Sequence, residues 1–173
     1  GDEALHHLVE AAHERGIHVL LDIALNHLSD QHPYFQDAIN NPYSSYRDWF
    51  YFDDSEIGYR AFFGVASMPQ VNVANPSARQ WLTSVARFWM TEFDVDGFRL
   101  DVADGPGPDF WTFFWTACKG EKPDCFCFGE VVDAPDIQQQ YIGHLDGLLD
   151  FHLCDAMRRT FAQKRWSEAD LER

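Results

Sequence analysis

Asp96-Gly97-Phe98-Arg99-Leu100-Asp101 is the stretch whose reading decides the fold. Its apolar and charged residues alternate with the period of a strand, so Phe98 and Leu100 face one way and Arg99 and Asp101 the other. The apolar side is expected to lie against helices. Upstream, His18 to Leu25 (HVLLDIAL) is almost continuously apolar, as a strand covered on both faces should be, and it runs into Asn26-His27. Downstream, Cys125 to Val131 carries Gly129-Glu130 at its end. Three strands thus finish in polar or charged residues.

Outward from these, the chain alternates strand and helix patterns. Strands are expected at 17–25, 95–102, 125–131 and 145–149, and helices at 3–15, 76–92, 109–118, 135–141 and 151–163. In the first helix Leu5, Leu8, Val9 and Ala12 share a face and Gly16 stops it. Asn75-Pro76 caps and starts the second, where Trp81, Val85, Phe88 and Trp89 give the apolar stripe. Trp111, Phe114 and Trp115 are expected in the core. Such alternation describes an α/β fold with a parallel sheet and crossover helices.

Residues 28–75 break the rhythm, with turn formers and aromatics but no long period, and are expected to be an inserted loop or small subdomain. Tyr43, Tyr46, Trp49, Phe50, Tyr51, Phe52, Tyr59, Phe62 and Phe63 are expected mostly to form that segment's own core, with one or two lining a subsite. Residues 1–27 and 76–173 supply the regular β-α units.

Composition narrows the partners. With 173 residues, 46% hydrophobic, the chain can bury one core. A formal net charge of −15 with only 13 Lys plus Arg argues against nucleic acid and for a neutral ligand. No apolar run reaches the ~20 residues of a membrane span. Cys118, Cys125, Cys127 and Cys154 lack the spacing of a zinc knuckle or dithiol motif and are expected to be buried thiols, which leans towards a cytoplasmic setting. His6, His7, His13 and His18 are expected to serve the surface or packing, with no metal-ligand set. Gly105-Pro106-Gly107-Pro108 is read as a rigid turn, because proline removes the amide donors a phosphate loop needs.

Ligands of α/β sheets and barrels bind at the carboxyl ends of strands. Charges on an apolar strand are costly unless paired, so Asp22, Arg99, Asp101 and Glu130 are expected to form one inward network, with Arg99 supplying the counter-charge to Asp101. Asp101, beside an arginine, and Glu130, after Phe126 and Phe128, occupy contrasting surroundings, the pattern of an acid and base pair. Spacing alone leaves a structural ion-pair network equally open. An oxygen cage for Mg²⁺ built from Asp22, Asp101, Asp104 and Glu130, as in a metal-dependent lyase or isomerase, is disfavoured by Arg99 in its midst.

The strings DIALNH (22–27), MPQVN (68–72), DGFRLDVAD (96–104) and GEV (129–131), in this order and at these intervals, closely resemble the blocks of the α-amylase family of glycoside hydrolases. MPQVN followed by ANPSARQWL most resembles its neopullulanase, cyclomaltodextrinase and maltogenic amylase branch. The resemblance implies a partial (β/α)8 barrel of about four central units, and retaining cleavage or transfer of α-glucosidic bonds in maltooligosaccharides, cyclodextrins, pullulan or starch. It implies Asp101 as nucleophile and Glu130 as proton donor, Arg99 orienting Asp101 and Asp22 bracing Arg99. His27 would bond the sugar, Asn26 support its loop and Asp104 touch the leaving-group side. No cofactor is required by it, and a structural calcium at the Asn26 position is a weaker implication. A homodimeric parent enzyme is a further expectation. One departure stands out: the family's third acid, normally preceded by His, has no candidate, since His144-Leu145-Asp146 and His152 to Asp155 come too early. The chain is therefore expected to be a fragment, inactive when isolated and prone to associate through exposed sheet edges.

Overall fold

The structure, a computed structural model, describes residues 1–171. Four parallel strands, β1 (Leu20–Ala24), β2 (Gly97–Asp101), β3 (Phe126–Gly129) and β4 (Gly147–Leu148), lie side by side in sequence order. Helix α1 (Asp2–His13) precedes β1, α2 (Pro33–Asn40) and α3 (Pro76–Phe93) lie between β1 and β2, and α4 (Pro108–Glu121) follows β2. The short α5 (Pro135–Gln139) follows β3, and α6 (Phe151–Met157) follows β4, continuing as a π turn through Arg158–Ala162. This is the expected α/β arrangement, four units of a (β/α)8 barrel, with every strand shorter than its apolar run suggests.

Register explains the two faces. Leu21 pairs with Phe98 and Ile23 with Leu100, Phe98 pairs with Cys127, and Phe98, Leu100 and Cys127 are fully buried under the helices. Asp22 pairs with Arg99 and Ala24 with Asp101 on the other face. That face is open: Leu20 is 36% and Phe126 46% exposed, so β1 is not covered on both sides as its composition suggested. Four strands cannot close a barrel, and the residues that would line its interior meet solvent. Gly97 is forced by close approach, since a Cβ there would lie 1.9 Å from the Phe126 carbonyl oxygen.

Helix α3 is capped as expected, Asn75 Oδ1 accepting from the N–H groups of Ser77 and Ala78. Its core face, however, is Ala78, Leu82, Ala86, Met90 and Phe93, while Phe88 is 51% exposed. Small residues let the helix approach the sheet, and the larger rings flank the contact. Trp81 turns to Tyr34 and Trp49, and Trp89 packs at a tilt against Phe93. In α1 only Val9 is buried, and Leu8 is exposed. Trp111 and Phe114 of α4 are fully buried, whereas Trp115 is half-buried.

Within the 28–75 segment Phe35 meets Phe50 and Tyr59 edge-on and Tyr34 stacks on Tyr46, and these rings are continuous with the core of the regular units through Trp81 of α3. Helix α2 within it escapes the sequence reading because its cap is a histidine: His32 Nδ1 accepts from the Tyr34 N–H, with Pro33 in the first turn. Cys118, Cys125 and Cys127 are buried as expected, but Cys154 is exposed on α6. Neighbouring thiols and burial push Cys125 and Cys127 well above the ordinary thiol range, which leaves them unreactive.

His13 does more than fill the surface. Its Nε2 lies 2.8 Å from Asp96 Oδ2, which also accepts from the Val19 N–H at 2.7 Å, while Lys122 Nζ reaches Asp96 Oδ1 and Asp94 Oδ1 at 2.8 Å each. These bonds staple α1, β1, β2 and α4 together at the amino ends of the strands. Burial opposes charge on Asp96, yet the bonds from Lys122, Val19 and His13 outweigh it and hold its carboxyl well below the ordinary range.

Candidate active site

At the opposite, carboxyl ends of the strands, Arg99 gathers three carboxylates. Its Nη1 donates to both oxygens of Asp22 at 2.8 and 3.0 Å and to Asp101 Oδ1 at 2.5 Å, while Nη2 pairs with Glu130 Oε1 at 2.9 Å. The register dictates this: Arg99 lies opposite Asp22, and Glu130 follows Gly129, the partner of Leu100. The Asp22 hydrogen bond leads the causes that raise the guanidinium above its usual value; burial opposes, and Asp101 and Glu130 reinforce it. The network expected between Asp22, Arg99, Asp101 and Glu130 is therefore present. The contrast in surroundings expected between Asp101 and Glu130 is not, because one guanidinium touches both.

The chain turns sharply just past Asp101. Val102 has φ 48, a left-handed conformation rare for a β-branched residue, and marks a strained turn at the strand end. Its N–H points to Glu130 Oε2 at 3.5 Å, the Ala103 N–H donates to the Glu130 carbonyl at 2.9 Å, and the Glu130 N–H donates to Leu100 at 2.9 Å. Trp111 Nε1 then donates to the Ala103 carbonyl at 2.6 Å, and the Tyr141 hydroxyl reaches the same oxygen at 3.4 Å. Backbone and buried rings thus fix Glu130 relative to Asp101. Sequence reasoning missed this turn, since nothing in Val-Ala announces a positive φ.

Asn26 and His27 are latched to the insertion. Asn26 is 3% exposed; Gln70 Nε2 donates to its Oδ1 at 3.2 Å, and the Val71 N–H donates to its carbonyl at 2.9 Å. A Cβ on Gly105 would lie 2.1 Å from that Oδ1, so the turn after Asp101 closes directly over Asn26. Gln70, a link the sequence reading did not name, is what the MPQVN string contributes. His27 stacks on Phe62, with ring centroids 4.9 Å apart and planes 7° apart. Burial lowers its pKa, and the nearby charge of Asp101 only partly restores it, so its ring is neutral at pH 7. Asp104 is exposed and outside the Arg99 network. Its charge is nonetheless felt by Tyr141, whose hydroxyl is pushed up to about 12 by burial first and by Asp104 second.

Where a Mg²⁺ cage would lie, Asp22, Asp101 and Glu130 each turn an oxygen to Arg99. Gly105-Pro106 belongs to the turn and Gly107, at φ 80, leads into α4, as a rigid turn requires.

Fold and site together define a (β/α) barrel segment with paired carboxylates at its strand ends, the architecture of a glycosidase. Residues 1–172 match the alpha amylase catalytic domain, and the chain belongs to the α-amylase family. It is 42% identical over 165 residues to alpha-amylase 2 of Dictyoglomus thermophilum, covering 95% of this chain and 29% of that protein. It is 36% identical over 176 residues to a cyclomaltodextrinase of Geobacillus thermopakistaniensis, covering 97% and 30%. Among solved structures, the ligand-free cyclic α-maltosyl-(1→6)-maltose hydrolase of Arthrobacter globiformis superposes with a TM-score of 0.88 at 30% identity, covering 98% of this chain and 40% of that one. The chain spans under a third of the two sequence relatives, and the solved barrel likewise extends well beyond it.

Proposed function

We propose that this chain carries the nucleophile and the proton donor of an enzyme that cleaves α-glucosidic bonds with retention, acting on maltooligosaccharides, cyclodextrins, pullulan or starch. One observation carries the reading: a single guanidinium reaches Asp101 and Glu130 at once, at the ends of adjacent strands. A shared guanidinium holds two carboxylates close together, which supports the ~5–5.5 Å separation that retention requires. Asp101 attacks the anomeric carbon while Glu130 protonates the departing oxygen; Glu130 then takes a proton from water as water displaces Asp101. Arg99 pairs with Asp101 and aims it, Asp22 braces Arg99, and neutral His27 bonds the sugar at the cleaved bond. Asn26 holds the His27 loop and Asp104 meets the sugar on the leaving-group side. No cofactor enters this scheme.

Asp101→Asn in the natural full-length protein is expected to lower kcat at least ~10³-fold on maltohexaose, by removing a group that acts only at the reacting centre. Incubation of the unaltered enzyme with a 5-fluoro-α-glucosyl fluoride should give a stable one-sugar mass increase on the peptide holding Asp101. Near-normal turnover by the Asn variant, or a label on another residue, would remove the assignment.

A further inference from the structure

The segments that carry Asp101 and Glu130 touch at a point with no room for another carbon. Gly129, which precedes Glu130, has no positive φ that would call for glycine, yet a Cβ there would lie 3.0 Å from the Ala103 Cβ. The same added carbon would meet Leu145 Cδ1 at 2.9 Å and Leu148 Cδ2 at 3.1 Å, but these are the far ends of flexible side chains and can turn aside. The Ala103 methyl cannot, because it stands directly on the backbone two residues beyond Asp101. Both residues are buried, Ala103 completely.

Ala103 is also tied at both of its polar groups. Its N–H donates to the Glu130 carbonyl at 2.9 Å, and its carbonyl accepts from Trp111 Nε1 at 2.6 Å, with the Tyr141 hydroxyl 3.4 Å away. Methyl, N–H and carbonyl thus each have a fixed neighbour, and every neighbour belongs to this chain. The one residue between Ala103 and Asp101 is Val102, whose left-handed φ of 48 a β-branched side chain does not favour. Such a turn persists only where its surroundings impose it, and the anchors of Ala103 do so here.

We propose that Ala103 is a positioning residue, the spacer that sets the distance between the nucleophile Asp101 and the proton donor Glu130. Its methyl against Gly129 stops the turn from moving closer to Glu130, and its bonds to the Glu130 carbonyl and the Trp111 indole stop it from receding. It acts through Asp101 and touches no substrate. Because an ångström of misplacement at a reacting centre costs on the order of 10²-fold in rate, a shift of a few tenths of an ångström in this spacer is enough to be read in kcat. This deepens the proposed function and rests on it.

The test moves one methyl across the contact in the natural full-length enzyme, with kcat, KM and the urea midpoint measured on whichever of maltohexaose, β-cyclodextrin or pullulan the unaltered protein cleaves. Gly129→Ala pushes the Ala103 turn away and is expected to lower kcat about five- to tenfold while KM stays within about twofold. Adding Ala103→Gly to it makes room for the new methyl and should return kcat to within about twofold of the parent; adding Leu145→Val instead should not. Trp111→Phe frees the Ala103 carbonyl without adding bulk, and should also lower kcat, about threefold or more, at nearly constant KM. Unchanged kcat in Gly129→Ala or in Trp111→Phe, whatever the fall in urea midpoint, overturns the proposal by making the contact mere packing. Equal rescue by Leu145→Val does so too, since the leucines would then transmit the strain. If the unaltered enzyme cleaves none of the three glucans, the reading of the site fails first, and the role of Ala103 with it.

Discussion

Both ends of the sheet place one cation among carboxylates, and they do opposite things with it. At the amino ends, Lys122 Nζ meets Asp94 and Asp96 together with the carbonyls of Asp94 and Val95, and Asp96 takes further bonds from Val19 and His13. Asp96 is 7% exposed and both its oxygens are engaged. At the carboxyl ends, Arg99 divides two nitrogens among Asp22, Asp101 and Glu130, and the face stays open to solvent. A closed, saturated cluster binds elements together; an open one keeps lone pairs for a substrate. In (β/α) barrels the amino end serves stability and the carboxyl end chemistry, and here the same residue types are sorted accordingly.

The largest expected effect comes from making the two cations alike. Arg99→Lys keeps the charge but replaces a planar fork with one ammonium, which cannot reach Asp22, Asp101 and Glu130 in their present directions. We expect kcat/KM on maltohexaose to fall by ~10²–10³, the loss typical of removing a preorganised electrostatic partner of the reacting groups. The unfolding midpoint should barely move, because Asp22 is exposed and Asp101 and Glu130 border the open face. A variant with more than half the activity would show that the fork is structural.

Second in size is a loss of stability without loss of chemistry. Asp96→Asn leaves Lys122 and His13 facing a neutral amide in a nearly closed site and should cost about 3 kcal/mol, read as a shift in urea midpoint at pH 7. Folding depresses the Asp96 carboxyl below its unfolded value of ~3.9. Its contribution is therefore complete above about pH 5 and is lost as pH falls from there towards the folded value. Parent and variant should differ most at pH 7, still differ substantially at pH 3, and converge only as the pH approaches the folded value; a gap that stayed constant with pH would mean that Asp96 acts through packing. Activity at 25 °C should be unchanged.

The two clusters also differ in how far they were legible in the sequence. Arg99, Asp101 and Glu130 could be placed on one side because a strand has a period of two and their positions follow from it. Asp96 occupies the same strand pattern, but its partners His13 and Lys122 lie 83 and 26 residues away, and no local period reports such pairings. Periodicity also favours large apolar residues. It chose Trp81, Val85 and Phe88 for the core of α3, where close packing against the sheet uses Ala78, Leu82 and Ala86. The positive φ of Val102 and Phe63 and the bond from Gln70 to Asn26 were invisible for a related reason: each is imposed by tertiary contacts and written in no local residue preference.

Asp104 gives the smallest effect and the finest test of the comparison. It stands at the chemical end yet outside the Arg99 network, exposed, with its charge felt at Tyr141. If membership of the network is what makes a carboxylate essential there, Asp104→Asn should leave kcat unchanged and raise KM for maltohexaose only about two- to threefold, the size of one solvent-exposed sugar hydrogen bond. Two proteins differing at one carboxylate each, Asp101→Asn and Asp104→Asn, would then be separated by orders of magnitude in kcat though only three residues part them. A comparable collapse in both would place Asp104 at the reacting centre and extend the working cluster beyond the reach of Arg99.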